Sequence, residues 1–328
     1  MSAITPEQIL KVATGFMAAK QLFAASEIGL FEALADGPAD LEALAGKTGV
    51  PPRTVGIVAA AMVSVGLINQ EGSHYHNGEA AAAFLAGKPG HDVRPVLRFF
   101  NSICYPLWES FADAVRSGEG QAQFGKFDRE QQQIFSAGVE ALTAPIAGSL
   151  ATGYDFSGHK RLLDVGGGTG SFLLAVLRRY PDLRGTLFEL PGACAVARQR
   201  LATEPEGTRI DIVEGDVFKT PLPADHDVLL VANTVHVLSV THNLELMRKM
   251  RATVQRGARL LLVDFWMNPP RTEPAGATLM SGEFLVMSGE GQAYSEQEAG
   301  QWLAQTGWHK RERTSLAGMS SVIVAEAA

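Results

Sequence analysis

At 328 residues, 46% of them hydrophobic and 19% charged, the chain is long enough for two domains and has the composition of a soluble globular protein with a sizeable core. A formal net charge of −7 argues against a nucleic-acid partner, which demands a basic face. Two cysteines, Cys104 and Cys194, make no disulfide framework and point to a reducing cytoplasm. No secretion signal opens the chain, and no uninterrupted apolar run reaches the length of a membrane span.

From Thr5 to Phe31, apolar residues at Ile9, Val12, Phe16, Ala19, Leu22 and Phe23 recur every three or four positions, the spacing of a helix. Leu41–Ala45 and Pro52 to about Val65 continue that pattern, with Pro51-Pro52 suited to a helix start. Gly66–Gly72 and Ser73–Asn77 read as a small hairpin, with His74 and His76 on its surface. Helices followed by a hairpin form the winged-helix pattern, a module that often grips DNA. Here the second and third helices carry only Lys47 and Arg53 as basic residues, too few to neutralise phosphates. Val93–Arg116 and Gln131–Leu150 read as further helices. The first of these holds Phe100, Tyr105 and Trp108, and aromatic residues on helices usually belong to a core.

From about Lys160 the pattern becomes alternating strands and helices, the signature of a parallel sheet covered on both faces. Strands are predicted at 161–165, 186–190, 210–214, 228–232 and 259–264, and helices at 171–180, 192–204 and 241–255. The tail adds a helix over Glu296–Thr306 and strands near Lys310–Thr314 and Ser321–Ala325, seven strands in all.

The first strand of this half runs into Asp164-Val165-Gly166-Gly167-Gly168-Thr169-Gly170. Gly166, Gly168 and Gly170 let the backbone turn tightly and approach a ligand without Cβ clashes, and the helix from Ser171 aims free N–H groups at the same place. The G-x-G-x-G spacing differs from the dinucleotide fingerprint. Glu189 ends the second strand, 25 positions after Asp164, where a carboxylate can accept both ribose hydroxyls. Asp216 ends the third strand, suited to an exocyclic adenine amine. Each acid alone fits a helix cap or a solvated loop; three at successive strand ends describe a nucleoside pocket. The fourth strand leads into Asn233-Thr234-Val235-His236, and Asp264 ends the fifth.

Leu163–Gly170, Phe188-Glu-Leu-Pro191, Glu214-Gly-Asp-Val-Phe218 and Val235-His236 resemble the class I S-adenosylmethionine-dependent methyltransferases. More narrowly, they resemble the plant-type O-methyltransferase family of acetylserotonin, caffeate and bacterial small-molecule enzymes. The resemblance covers nearly the whole chain. It implies an α/β fold with a Rossmann-like seven-stranded methyltransferase sheet in residues 156–328. Residues 1–155 would form a helical and winged-helix domain that dimerises and contributes to the substrate pocket. It implies that Asp164, Gly166, Gly168, Gly170, Glu189, Asp216 and Val217 bind S-adenosylmethionine. Phe100, Tyr105, Trp108 and Asn233 would line the acceptor pocket as an alternative to a core role. His236 would be the general base, oriented by Asp264.

The implied chemistry is removal of the proton from an acceptor hydroxyl. A phenol, with a pKa near 10, stays protonated at neutral pH, and an imidazole, with a pKa near 6.5, can take its proton as attack develops. Two departures stand out. Val237-Leu238 replace the family's usual Asp-Trp, and Gly291-Gln292-Ala293-Tyr294 replace the segment holding its second flanking acid, with Glu283 and Glu290 nearby. The expected function is therefore O-methylation of a small aromatic metabolite by a cytoplasmic homodimer, with no membrane or nucleic-acid partner and no resident metal. One alternative is methylation at the α-carbon of a 2-oxo acid, with a metal-assisted variant in which His236, His242 and Asp264 or Glu283 enclose a cation. The other is a winged-helix regulator that senses a nucleoside-like ligand without turnover.

Overall fold

Successive residues of β-strands point to opposite faces, so strands that are apolar at every position must be covered on both sides. Val228–Ala232 is such a strand, and with four others that are apolar over part of their length it forms the parallel core of the sheet in this computed structural model, which describes residues 5–88, 92–121 and 123–328. The chain divides into two units. The first comprises the residues to Ile103 with Ala137–Ala141, and the second Cys104–Ser136 with Leu142–Ala328.

In the first unit the helical spacing of residues 5–31 yields three helices rather than one: Pro6–Ala13, Gly15–Glu27 and Leu30–Ala33. The first break falls at Thr14-Gly15, two weak helix formers, and the second at Gly29, whose φ of 72° lies in the left-handed region. Helices Leu41–Thr48 and Pro52–Ser64 and the antiparallel strands β1 (Ile68–Glu71) and β2 (His74–Asn77) follow as expected. Leu30, Phe31, Leu44, Val55, Ala59, Met62 and Ile68 form this unit's buried core.

The predicted helix over Val93–Arg116 is broken into Arg94–Phe99, a π-helical turn Phe100–Cys104, Tyr105–Trp108 and Phe111–Ser117. Pro106 explains the widened turn, because it has no N–H to give to the preceding turn. The next helix, Arg129–Gly153, is long and apolar enough by length and composition to cross a membrane. Its carboxyl-terminal half instead buries Ala147, Leu150 and Ala151 among Phe156, Phe172 and Leu174.

The second unit holds β3 (Arg161–Val165), β4 (Arg184–Glu189), β5 (Ile210–Glu214), β6 (Val228–Ala232), β7 (Arg259–Asp264), β8 (Trp308–Ser315) and β9 (Ser321–Ala327). They form a seven-stranded sheet in the order β5-β4-β3-β6-β7-β9-β8. β3 to β7 run parallel, and β9 pairs antiparallel with both β7 and β8. Along β6, Val228, Leu230 and Ala232 enter one core while Leu229 and Val231 enter the other. The strand order reverses between β3 and β6, and the carboxyl ends at such a point are where an open α/β sheet binds its ligand. The helix Ala275–Ser288 has no counterpart in the sequence prediction. Two internal glycines and apolar residues on nearly every side erase the periodicity by which a surface helix is recognised.

Candidate active site

Backbone hydrogen bonds lace the strand ends together. Gly166 donates to the Phe188 carbonyl and Gly215 to that of Glu189, so the loops after β3 and β5 are both tied to the end of β4. Gly166, Gly168 and Gly170 have φ of 71°, 58° and 84°. A Cβ on Gly166 would lie 2.8 Å from Thr234 Oγ1, and one on Gly167 2.4 Å from Asp164 Oδ2. The turn is therefore packed from behind by both Thr234 and Asp164. Helix Ser171–Arg179 starts directly from it.

Glu189 accepts hydrogen bonds from Gly168 N at 2.9 Å and Leu190 N at 2.6 Å. Burial raises its pKa, and those two donors oppose the rise. Asp216 accepts from Phe218 N at 2.9 Å and Lys219 Nζ at 2.7 Å, and the lysine holds its carboxyl below the usual range. Val217 is half-buried against the sheet core. These residues fit a nucleoside cofactor: carboxylates at the ends of β4 and just beyond β5 flank a turn whose bend excludes a side chain at position 166.

Asp164 is placed differently from its neighbours. It is completely buried, and among the described residues neither carboxyl oxygen has a hydrogen-bond partner. Burial, with the negative charge of Glu189 adding to it, pushes its pKa up to about 8. It shares the sheet face of Leu162, inside the core beneath the glycine turn.

His236 sits on a 3₁₀ turn, Val235–Val237, two residues after Thr234. Its Nδ1 lies 2.8 Å from Asp264 Oδ1. A carboxylate has only lone pairs to offer, so Nδ1–H donates and Nε2 keeps the lone pair. Asp264 also accepts from the backbone N–H of His236 at 3.3 Å and of Phe265 at 2.8 Å. The imidazole is stacked between two rings, Phe284 with centroids 3.9 Å apart and Phe265 at 5.0 Å. Ring plane and tautomer are thus both fixed, and among the described residues Nε2 has no hydrogen-bond partner.

Phe265 and Phe284 were not foreseen from the sequence. Phe265 was within reach, since it follows Asp264, but Phe284 lies on the unpredicted helix. Gly291, in the segment that departs from the resembled family, comes so close that a Cβ there would lie 2.3 Å from the His236 carbonyl oxygen. Gln292 accepts from Arg271, and the Tyr294 hydroxyl donates to the Leu238 carbonyl at 2.7 Å.

Of the other expected pocket residues, Asn233 has a φ of 53° and a buried Nδ2 without a partner among the described residues. Tyr105 and Trp108 lie in the second unit and Phe100 in the first. Trp108 is 39% exposed and donates from Nε1 to Glu283 Oε2 at 2.6 Å. The cation cage considered for the carbon-methylating alternative is not formed. His242 Nδ1 pairs with Glu290 at 2.6 Å, away from the Asp264 that holds His236, and no set of three ligating side chains gathers among the described residues.

The sheet order, with its antiparallel edge pair and a nucleoside-binding turn at the switch point, defines a Rossmann-like methyltransferase dependent on S-adenosylmethionine. The chain belongs to the O-methyltransferase family, whose O-methyltransferase domain matches residues 108–309 and whose dimerisation domain matches residues 10–87. It is 32% identical to the 3-hydroxy-5-methyl-1-naphthoate 3-O-methyltransferase of Streptomyces sahachiroi, covering 92% of this chain and 89% of that enzyme. The human N-acetylserotonin methyltransferase in complex with SAM superposes with a TM-score of 0.89 at 25% identity, over 100% of this chain and 99% of that one. PigF with SAH gives 0.89 at 28% identity, over 98% of this chain and 100% of the other. Family and relatives methylate oxygen, which leaves the α-carbon alternative without support.

Proposed function

We propose that the protein transfers the methyl group of S-adenosylmethionine to a hydroxyl of a small aromatic metabolite, with His236 as the general base. The observation that carries this reading is the His236 imidazole itself: Nδ1–H committed to Asp264, both faces covered by phenylalanines, Nε2 unpartnered. Thr234, which backs the Gly166 turn, is only two residues away, so base and cofactor turn share one short segment. S-Adenosylmethionine, when bound, supplies a methyl group on a positively charged sulfur. Gly166, Gly168 and Gly170 would shape its cradle, Glu189 would take the ribose hydroxyls, and Asp216 and Val217 would border the adenine. Asp164 would support the turn from beneath rather than touch the ligand.

His236 would accept the phenolic proton at Nε2 as the oxygen becomes nucleophilic. The imidazolium so formed gains from the Asp264 carboxylate and from the π faces of Phe265 and Phe284. Alignment of two reactants and this proton transfer are what the protein contributes. Tyr105, Trp108 and Asn233, all in the second unit, would line the acceptor pocket.

Similarity to the naphthoate O-methyltransferase and to the tetracenomycin polyketide synthesis 8-O-methyl transferase of Streptomyces glaucescens, 28% identical over 97% of this chain, supports a place in secondary metabolism. The two buried free cysteines support a cytoplasmic setting. A homodimer through the amino-terminal helices is supported by the dimerisation-domain match and by Ile9, Leu10, Val12, Phe16 and Met17, which are all at least half exposed.

The test is a panel of phenols and naphthols incubated with methyl-labelled S-adenosylmethionine, the labelled atom being identified by NMR. Label on oxygen, lost by about 10² to 10⁴-fold in His236→Ala with cofactor affinity retained, is the expected result. Label on carbon, or an undiminished variant, would refute the reading.

A further inference from the structure

The base sits on a turn that does little to hold itself. Val235–Val237 is a single 3₁₀ turn, and its own hydrogen bonds, from Val237 N to the Thr234 carbonyl and from Leu238 N to the Val235 carbonyl, are long at 3.2 and 3.3 Å. Val235, Val237 and Leu238 bring no polar side chain to it. The groups that define His236, the Asp264 carboxylate and the Phe265 and Phe284 rings, stand on other elements. The imidazole meets them only if the turn itself is fixed.

Two groups from outside the turn fix it. The first is Asn243, completely buried in the opening turn of helix Val240–Ala252. Asparagine is a poor helix former, and burying its amide costs free energy unless the amide is hydrogen-bonded. Its Nδ2 donates to three carbonyls, those of Val235 at 2.9 Å, Ser239 at 3.1 Å and Leu238 at 3.2 Å. Carbonyls only accept, so it is the nitrogen of the amide that faces them. They bracket His236 on both sides along the chain. The second group is the segment that leads into helix Glu296–Gln305. Tyr294, only 2% exposed, donates its hydroxyl to the Leu238 carbonyl at 2.7 Å. Gly291 lies against the turn, where a Cβ would come within 2.3 Å of the His236 carbonyl oxygen and 2.9 Å of Val237 Cα.

We propose that Asn243 is the positioning residue of the base. By holding the carbonyls on either side of His236, it fixes the turn from which Nδ1–H reaches Asp264. Tyr294 supplies a second, smaller hold at Leu238. The assignment rests on the reading of His236 as general base for its effect on turnover, whereas its effect on the imidazole belongs to the resting protein.

The test follows the His236 Nδ1 proton by NMR in protein carrying ¹⁵N-labelled histidine, the signal being assigned by its loss in His236→Ala. Asn243→Leu keeps the approximate size of the side chain and removes the donor, and Tyr294→Phe removes one hydroxyl. Exchange of the proton with water should be about tenfold or more faster in Asn243→Leu. Tyr294→Phe should accelerate it less, because the Leu238 carbonyl keeps Asn243. Should Asn243→Leu not fold, Asn243→Ser, whose hydroxyl would turn to the Ser239 carbonyl four residues back, should show the same acceleration. Met250→Val, a packing change about two turns along the same helix, destabilises the fold but should leave the exchange rate as it is. On the phenol selected by the labelled panel, kcat should fall about tenfold in Asn243→Leu while KM for S-adenosylmethionine is kept. Exchange as slow in the Asn243 variants as in the native protein overturns the proposal. Equal acceleration in Met250→Val also overturns it, since the effect would then be a general loss of stability. Undiminished turnover in His236→Ala would sink the general-base reading while leaving the hold on the imidazole standing.

Discussion

Asp164 offers a test that needs no acceptor substrate. Its carboxyl is completely buried with no hydrogen bond to either oxygen, and its pKa is raised to about 8. In the unfolded chain an aspartate releases its proton near pH 4. Between about pH 4 and pH 8 the native state therefore holds a proton that the unfolded state has lost, and stability falls as pH rises through that window. The slope is about 1.4 kcal/mol per pH unit. Asp164→Asn keeps the shape and removes the titration. Any cost of burying the amide is the same at every pH. From pH 5 to pH 8 the variant should accordingly gain on the native protein by on the order of 4 kcal/mol. All four tryptophans, Trp108, Trp266, Trp302 and Trp308, lie in the second unit with Asp164, so their fluorescence in urea titrations reports the relevant transition. A difference between the two proteins that stays constant with pH would refute the reasoning. So would a variant that loses ground as pH rises.

Three further outcomes follow from the site. Gly166→Ala places a Cβ 2.8 Å from Thr234 Oγ1 at a φ of 71°, and should weaken S-adenosylhomocysteine binding by about tenfold or more in calorimetry. Thr234→Ala in that background relieves the clash but not the backbone strain, so recovery should be partial. Asp264→Asn can offer its amide N–H to Nδ1 and favour the wrong tautomer of His236; kcat should fall on the order of 10²-fold or more while cofactor affinity is kept. Phe16→Asp places a charge in the exposed apolar row of the first helices and should convert a dimer to a monomer in light scattering, and an unchanged mass would remove those helices from the interface.

The middle of the sheet was legible because its central strands are buried on both faces. Val228–Ala232 and Arg259–Asp264 were predicted at 228–232 and 259–264, the bounds they have. The glycine turn and the acids after it were legible because glycine is the residue that adopts those φ values most readily and because strand ends have characteristic spacing. The helix over 93–116 was misjudged where Pro106 widens a turn, and Ala275–Ser288 was hidden because it is apolar on nearly every side. With that helix went Phe284 and the partnering of Glu283, since which side chains meet across the fold depends on direction, not on residue type. The burial of Asp164 was in principle readable: strand alternation sets it on the face of Leu162, between a core and the turn.

The acids of the second unit show why residue type and position alone underdetermine a site. Asp164, Glu189 and Asp264 each stand at the end of a parallel strand, and what separates them is the count of donors aimed at each. Asp264 collects three, two from backbone and one from an imidazole, and so is satisfied as the ion that fixes His236. Glu189 collects two from backbone at the rim of the glycine turn, which hold it in place where hydroxyls can join them. Asp164 collects none and keeps its proton instead. Glu283, away from the sheet, accepts from the Trp108 indole and lies beside the buried Cys104 thiol, whose proton its charge helps to hold. Assigning function to a buried acid is thus a matter of asking what donates to it, and the contrast between Asp164→Asn and Asp264→Asn bears on this directly. The same chemical change should alter the pH dependence of stability in one case and kcat in the other.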